Sequence, residues 1–364
     1  MSDKYSIDSH KLIYHPTRVS KWIESNNNWS LQKKIYPIYV EITPIGSCNH
    51  RCTFCSVDYI GYKSIKQNET ILKERIEEMG RLGIKSIMFA GEGEPTLYKP
   101  LPEILDVCTK AGIDTSLTTN AVPFNETNTE SFVRNCSWIK VSINAGDRET
   151  YSKIHTTKES DFDKVVENLA RAVKIRKEKN YKCTIGSQML LLPENKHTAV
   201  DLAKKMKEIG VDYLVIKPYT QSLYGKSRIY QGLTYSSMMD LEGELNKLET
   251  DDFKVVFRAN TMKKLEEERQ PYSKCYATPY FWAYIMADGS VYGCSAYLQN
   301  DKFNYGNINT QSFEEIWEGQ KRKEGVSFIE NELDITMCRR NCRMDEVNRY
   351  LWNLKNPNPH VNFI

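Results

Sequence analysis

Residues 38–55 read Ile38-Tyr39-Val40-Glu41-Ile42-Thr43-Pro44-Ile45-Gly46-Ser47-Cys48-Asn49-His50-Arg51-Cys52-Thr53-Phe54-Cys55, a short apolar strand pattern running into a Cys-x3-Cys-x2-Cys loop. Thiolates are the usual ligands of iron–sulfur clusters, and a [4Fe–4S] cube has four irons, so three cysteines leave one iron for a ligand from outside the protein. The competing reading is a structural zinc, which closes its tetrahedron with four protein ligands; His50 is on hand as the fourth. Three cysteines crowded into eight residues suit a cluster corner better than a spaced zinc site.

Outward from this loop the chain alternates. Strand patterns near 38–43, 86–90, 115–119, 138–144, 184–192 and 213–217 are separated by helical periodicities at about 70–82, 100–111, 125–134, 161–178 and 197–209. Strand then helix, six times over, predicts an α/β protein with a parallel sheet and crossover helices. Ser160 and Asp163 have the spacing of a capping box opening the fourth helix. Residues 234–249 read as a sixth helix, after which the alternation stops.

Several strand ends carry polar residues. Phe89-Ala90-Gly91-Glu92-Gly93-Glu94-Pro95-Thr96-Leu97 ends the second strand; its glycines allow close backbone approach to a ligand, and Pro95 forces a turn. Leu117-Thr118-Thr119-Asn120 ends the third. In Lys140-Val141-Ser142-Ile143-Asn144, strand alternation sends Ser142 and Asn144 to one face. The fifth and sixth runs, Gly186 to Pro193 and Tyr213 to Tyr219, suit strands buried on both faces.

Together these segments resemble the radical S-adenosylmethionine (radical SAM) superfamily, which has the same cysteine spacing and an aromatic, here Phe54, before the last cysteine. The resemblance implies a partial (β/α)6 TIM-like barrel with its site at the carboxyl ends of the strands. It implies a [4Fe–4S] cluster on Cys48, Cys52 and Cys55 whose open iron chelates S-adenosylmethionine; one electron then splits the sulfonium, and a 5′-deoxyadenosyl radical abstracts a substrate hydrogen. By the same resemblance Glu92, Gly93 and Glu94 sit where the family binds the methionyl amine. The segment is one residue longer than the commoner Gly-Gly-Glu-Pro, which leaves open which glutamate does so. Asn120, Ser142, Asn144, Gln188, Leu190 and Tyr219 fall in the other cofactor-contacting segments; Ala121 stands where the family often has glycine. A reductant such as flavodoxin or ferredoxin is the implied protein partner, and a reducing cytoplasm the implied setting.

The second half has a different cysteine pattern. Cys275, Gly289 and Cys294, followed by Cys338 and Cys342, resemble the auxiliary-cluster domains called SPASM and twitch. Asp288-Gly289 between Tyr284-Ile285 and Val291-Tyr292 signals a β-hairpin, and Ser312 with Glu315 signals a capped helix. Four cysteines suffice for one fully ligated auxiliary [4Fe–4S] cluster, or for a structural zinc. Arg339, Arg340 and Arg343 lie beside it, to offset its charge, contact an anionic substrate or remain solvated. The expected organisation is an extension over 1–36 packing on the barrel or lidding its site, the barrel over 37–250, a small α+β auxiliary iron–sulfur domain over 251–345 and a tail over 346–364.

Fifty basic and forty-seven acidic residues leave +3, which points to neither nucleic acid nor an acidic membrane. No apolar run approaches the roughly 20 residues of a membrane span, and the amino terminus has no signal core. Ten cysteines in such a chain read as metal ligands and thiols rather than disulfides.

Of the remaining cysteines, Cys108, Cys136 and Cys183, the last, entering the fifth strand, is the candidate hydrogen-atom donor; all three suit small buried hydrophobes. Only about 36 residues precede the first strand, short for a peptide-recognition module, which favours oxidation or epimerisation of a small-molecule substrate such as a sugar, amino sugar or nucleotide-linked compound. Lys217, Tyr219 and Arg228 are placed to contact its hydroxyls or phosphate, although Lys217 pairing with a barrel carboxylate is an equal reading. The alternatives are a maturase of a ribosomal peptide and a non-catalytic iron–sulfur electron carrier.

Overall fold

Val40 and Ile42 start a pattern that repeats along the sheet: alternate residues of each strand join an apolar layer with the crossover helices, and the residues between them face a lumen. In the computed structural model, which describes residues 5–7, 9–266 and 270–363, that pattern produces one ten-stranded sheet. The chain opens with helices α1 (Pro16–Ser25) and α2 (Trp29–Gln32). It continues as β1 (Tyr39–Ile42), α3 (Glu69–Arg81), β2 (Ser86–Phe89), α4 (Leu101–Lys110), β3 (Asp114–Thr119), α5 (Glu126–Asn135) and β4 (Cys136–Ser142). Then come α6 (Arg148–His155), α7 (Ser160–Lys179), β5 (Thr184–Leu191), α8 (Ala199–Ile209), β6 (Tyr213–Pro218), α9 (Leu241–Asn246), β7 (Lys254–Phe257) and α10 (Ala259–Lys264). The last part comprises α11 (Thr278–Phe281), β8 (Trp282–Ile285), β9 (Ser290–Tyr292), β10 (Asn304–Asn307), α12 (Phe313–Glu318), α13 (Gln320–Asn331) and α14 (Asp345–Lys355).

The strand order is β10-β9-β8-β1-β2-β3-β4-β5-β6-β7, with every pair from β8 to β7 parallel. The alternation does not stop at residue 250. Lys254–Phe257 adds a seventh parallel strand on β6, and β8 adds an eighth on β1, in register Tyr39↔Trp282. The expected hairpin forms as β8–β9, Tyr284 opposite Tyr292, and extends the barrel sheet.

Local expectations split. Ser312 and Glu315 make the expected reciprocal cap of α12. Ser160 and Asp163 do not cap α7, because Ser160 is already its first helical residue. Instead the Thr157 hydroxyl donates to Asp161 at 2.5 Å, and the preceding α6, absent from the sequence reading, is capped by Asp147 accepting from the Thr150 N–H.

The amino-terminal helices pack on the auxiliary half. Trp22 is 3% exposed and packs at tilted and edge-on angles among Tyr276, Tyr280 and Phe281, and the Trp317 indole donates to Ile35 O at 2.7 Å. Residues 346–355 are helix α14, not tail. Buried Asn348 accepts from the Tyr276 and Ala277 N–H groups and donates to Lys274 O, ordering the backbone around Cys275.

Arg322 is fully buried, and among the described residues it has no carboxylate partner. Its guanidinium donates to Pro279 O and Trp317 O and lies 4.0 Å from the Trp317 ring. Arg322→Met strands these carbonyls and is expected to cost about 3 kcal/mol, read as a lowered urea midpoint of the anaerobic holoprotein. An unchanged midpoint contradicts this.

Candidate metal centres and active site

The cysteine loop leaves β1 at its carboxyl end and is braced from three sides. The Arg51 and Thr53 N–H groups donate to His155 O and Ile154 O at the end of α6, 3.1 and 2.9 Å away. The Glu94 N–H donates to Ser47 O at 2.9 Å, and a Cβ on Gly93 would lie 2.2 Å from Ser47 O and 2.4 Å from Ile45 O. Only glycine lets the two backbones lie this close. On the third side, the Asn120 amide donates to Asn49 Oδ1 at 2.8 Å.

Glu94 holds that third brace in place. Its carboxylate accepts from the Thr96 N–H and hydroxyl, the Thr119 hydroxyl at 2.5 Å and the Asn120 N–H at 2.7 Å. Glu92 accepts from the Ala287 N–H at 3.1 Å, tying the segment to the auxiliary half, and burial lifts its carboxyl to about 7. Ala121 has φ +58°, the left-handed conformation that explains the family's preference for glycine there.

The three loop thiols are half-buried, and Cys52 is near enough to Cys48 and Cys55 for their charges to interact. Burial first, then neighbouring negative charge including the other thiolates, pushes Cys48 up to about 12 and Cys52 well above the ordinary thiol range; burial also raises Cys55. Such crowding is unfavourable for free thiolates and is relieved by a bound metal cation, so the donor set fits a cluster. His155 Nδ1 lies 3.2 Å from Cys52 Sγ, and His50, Cys52 and His155 bring ligand atoms within 4.8 Å of one another, the trio on which a zinc reading rests.

Cys275, Cys294, Cys338 and Cys342 converge in the second apolar cluster, although they come from widely separated parts of the chain. Burial and the other three thiols raise Cys294 well above the ordinary range, and Cys342 rises to about 12. Tyr297 OH is 3.2 Å from Cys338 Sγ. Four thiols and no open position suit a fully ligated cluster.

Other expected site residues divide. Ser142, Gln188, Lys217 and Leu190 lie on the lumen side of their strands, opposite the apolar layer. Phe54 and Tyr219 meet in a small cluster with Leu192 and Tyr230 beside the loop. Asn144 does not follow Ser142 in alternation: the strand ends at Ser142 and Asn144 has φ +57°. It is 0% exposed, accepts from the Leu190 N–H at 2.7 Å and lies 3.3 Å from His155 Nε2, so it braces α6 instead of facing a cofactor.

Cys183 is removed from the donor candidates. It is 3% exposed at the amino end of β5, packed with Cys136 on the helix side of the sheet and away from the lumen. Arg228 donates to Ser222 O and Leu223 O in its own loop. Lys217 has no ion-pair or hydrogen-bond partner among the described residues, because the nearby carboxylate Glu41 is paired with Arg343 at 3.3 Å. The sequence reading missed His155, Lys140 and Glu41; the Asp147–Thr150 cap was the one local sign of the helix that carries His155.

Residues 42–216 match the Radical SAM superfamily, and residues 275–343 match the SPASM iron-sulfur cluster-binding domain. The S-adenosylmethionine-dependent nucleotide dehydratase of Lacinutrix mariniflava is 31% identical over 118 residues, 29% of this chain and 23% of that protein's length. The tungsten-containing aldehyde ferredoxin oxidoreductase cofactor-modifying protein of Pyrococcus furiosus is 20% identical over 304 residues, 78% of this chain and 81% of that one. SuiB of Streptococcus suis, solved bound to the precursor peptide SuiA, superposes with a TM-score of 0.65 at 17% identity, covering 86% of this chain and 71% of SuiB. Native anSMEcpe with bound AdoMet gives 0.55 at 20% identity, covering 88% and 99%. The last two show the fold.

The chain is a radical SAM superfamily protein. It carries a SPASM-type auxiliary domain, and its cofactors are S-adenosylmethionine and [4Fe–4S] clusters. Among the described residues no helix is long and apolar enough to cross a membrane.

Proposed function

We propose that this chain is a radical SAM oxidoreductase that dehydrogenates a small polar molecule, in the cytoplasm, with a flavodoxin- or ferredoxin-type reductant. Cys48, Cys52 and Cys55 hold the cluster that binds S-adenosylmethionine, and Cys275, Cys294, Cys338 and Cys342 hold the auxiliary one. Phe54, Glu92, Gly93, Glu94, Asn120, Ser142, Gln188, Leu190 and Tyr219 border the S-adenosylmethionine site. When bound, these groups supply a hydrogen-abstracting 5′-deoxyadenosyl radical and a one-electron acceptor.

The observation that carries a small substrate is the segment after β6. Its Lys226 and Ser227 N–H groups donate to Asp58 at 2.8 and 3.0 Å, and Tyr230 OH meets Thr53 Oγ1 at 2.9 Å. The Tyr224 ring lies tilted against Tyr59 and edge-on to Tyr297. The segment thereby bridges the barrel mouth from β6 to the cysteine loop and the auxiliary half, which encloses a compact ligand and excludes water. Lys217 and Tyr219 hold that ligand from the end of β6. Dehydrogenation is favoured over thiol-fed epimerisation because Cys108, Cys136 and Cys183 all lie in the outer apolar layer. The nucleotide named for the dehydratase relative is itself a small polar molecule.

The test is anaerobic turnover in deuterated water with S-adenosylmethionine, a reductant and a panel of sugars, amino sugars and nucleotides. Expected are 5′-deoxyadenosine and a product short of two hydrogens, without solvent deuterium at the reacting carbon. Deuterium at an inverted carbon overturns dehydrogenation in favour of epimerisation. Turnover only of a peptide makes the chain a maturase, and no 5′-deoxyadenosine at all makes it an electron carrier.

A further inference from the structure

The segment from Cys338 to Arg343 acts as a strap between the β6–α10 region and β1. Asn341 donates to Thr261 O at 2.6 Å and Arg340 to Leu265 O at 3.0 Å, both in and just after α10. Arg339 donates to Thr220 O at 2.9 Å, past the end of β6. Just beyond Cys342, Arg343 reaches β1 in the interior of the sheet, donating to Tyr39 OH at 2.6 Å and pairing with Glu41. The side chain of Arg343 nevertheless remains 45% exposed.

Two lysines lie near this arginine. Burial first, then Arg343 and Arg258, lowers Lys140 of β4 to about 7, and burial first, then Lys140, Arg258, Arg343 and Arg339, lowers Lys217 of β6. Neither lysine has an ion-pair partner among the described residues; Lys140 lies 5.5 Å from the Trp138 ring. Arg339 Nε is buried without a hydrogen-bond partner. Lys140, Lys217, Arg339 and Arg343 thus converge on a lumen where, among the described residues, Glu41 is the carboxylate that registers on them, ion-paired with Arg343 at 3.3 Å. Half-buried cations left in such excess cost folding free energy unless an anion neutralises them.

We propose that this lumen binds an anionic group of the substrate, a phosphate or a carboxylate, through Lys140, Lys217, Arg339 and Arg343, and that the auxiliary-cluster loop delivers the two arginines. The proposal rests on the reading of the barrel as the reaction site. It gives the auxiliary centre a positioning role besides electron transfer: a loop pinned at Cys338 and Cys342 holds guanidiniums that match a phosphate or carboxylate fork. Arg258, at the end of β7, adds positive charge while keeping partners of its own.

The experiment is calorimetric titration of the anaerobic holoenzyme, saturated with S-adenosylmethionine, with pyrophosphate, inorganic phosphate and malonate. Expected is one site for at least one of these probes, weakened at least tenfold by Lys217→Gln and by Arg343→Gln. Lys174→Gln, on the exposed face of α7, leaves it unchanged. Cys342→Ala, which frees the loop, weakens the same site. Binding of the phosphates alone identifies a phosphorylated substrate, and of malonate alone a carboxylated one. No binding by the wild-type holoenzyme overturns the proposal, as does equal binding by Lys217→Gln with its iron content and circular dichroism intact. Competition by S-adenosylmethionine also overturns it, since the cations then serve that cofactor. 5′-Deoxyadenosine formation by the same wild-type preparation tests the radical reading separately, so either can fail alone.

Discussion

Replacing Cys52 by alanine empties the amino-terminal centre and takes 5′-deoxyadenosine formation to background, while the auxiliary centre stays loaded. Iron falls from about eight to about four per chain. The reason is the lack of a spare thiol in the loop: it offers three, and among the described residues the other donors grouped with Cys52 are the imidazoles of His50 and His155. Two thiolates do not hold a cube whose fourth iron is reserved for an exogenous ligand. His155→Ala separates the metal readings. In the cluster reading it removes only the 3.2 Å contact to Cys52 Sγ, so iron is retained and the cluster's redox potential shifts. In a zinc reading built on His50, Cys52 and His155 it releases the metal. Zinc in the wild-type loop, or undiminished iron in Cys52→Ala, overturns the assignment.

Gly93→Ala is expected to disable the same centre without touching a ligand. The added methyl would meet Ser47 O at 2.2 Å and Ile45 O at 2.4 Å, and neither is a flexible side-chain end. Relief requires the 91–95 segment to move off the cysteine loop. That breaks the Glu94 N–H to Ser47 O bond and loosens the Glu94–Asn120–Asn49 relay. A destabilisation of about 3 kcal/mol, at the upper end for overpacking, and loss of half or more of the amino-terminal cluster's iron are expected, read by iron analysis and the cluster's EPR signal. Gly243→Ala, in α9 with nothing within 4 Å of the new methyl, is the control and keeps full iron. Full iron in Gly93→Ala contradicts the brace.

Both effects depend on residues that are adjacent in sequence to a recognisable motif, and such features were legible. The cysteine spacing, the glycine-rich turn and the period-two apolar runs are local, because each strand buries one face against helices that follow it directly. The Asp288-Gly289 hairpin and the Ser312–Glu315 cap were legible for the same reason, since a turn or a cap is closed by residues within a few positions. Lys254–Phe257 was not: four residues carry too little periodicity to distinguish a strand from a loop, and the β6 edge completes it. Helix α6 was obscured by its polar sequence, and Asn144 was misplaced because its left-handed backbone ends the alternation that the sequence suggested.

By itself, the sequence determined the parallel architecture, the open-iron cysteine loop and the presence of a second thiol set, because metal ligation and strand burial demand particular residue types at short fixed spacings. Only the tertiary structure decided that β8 closes onto β1, that His155 meets Cys52 and that Arg343 meets Glu41. It also decided that Cys183 lies outside the lumen. Those outcomes depend on which distant segments share a space, and a charge or a thiol carries no local mark of the partner that packing will set beside it.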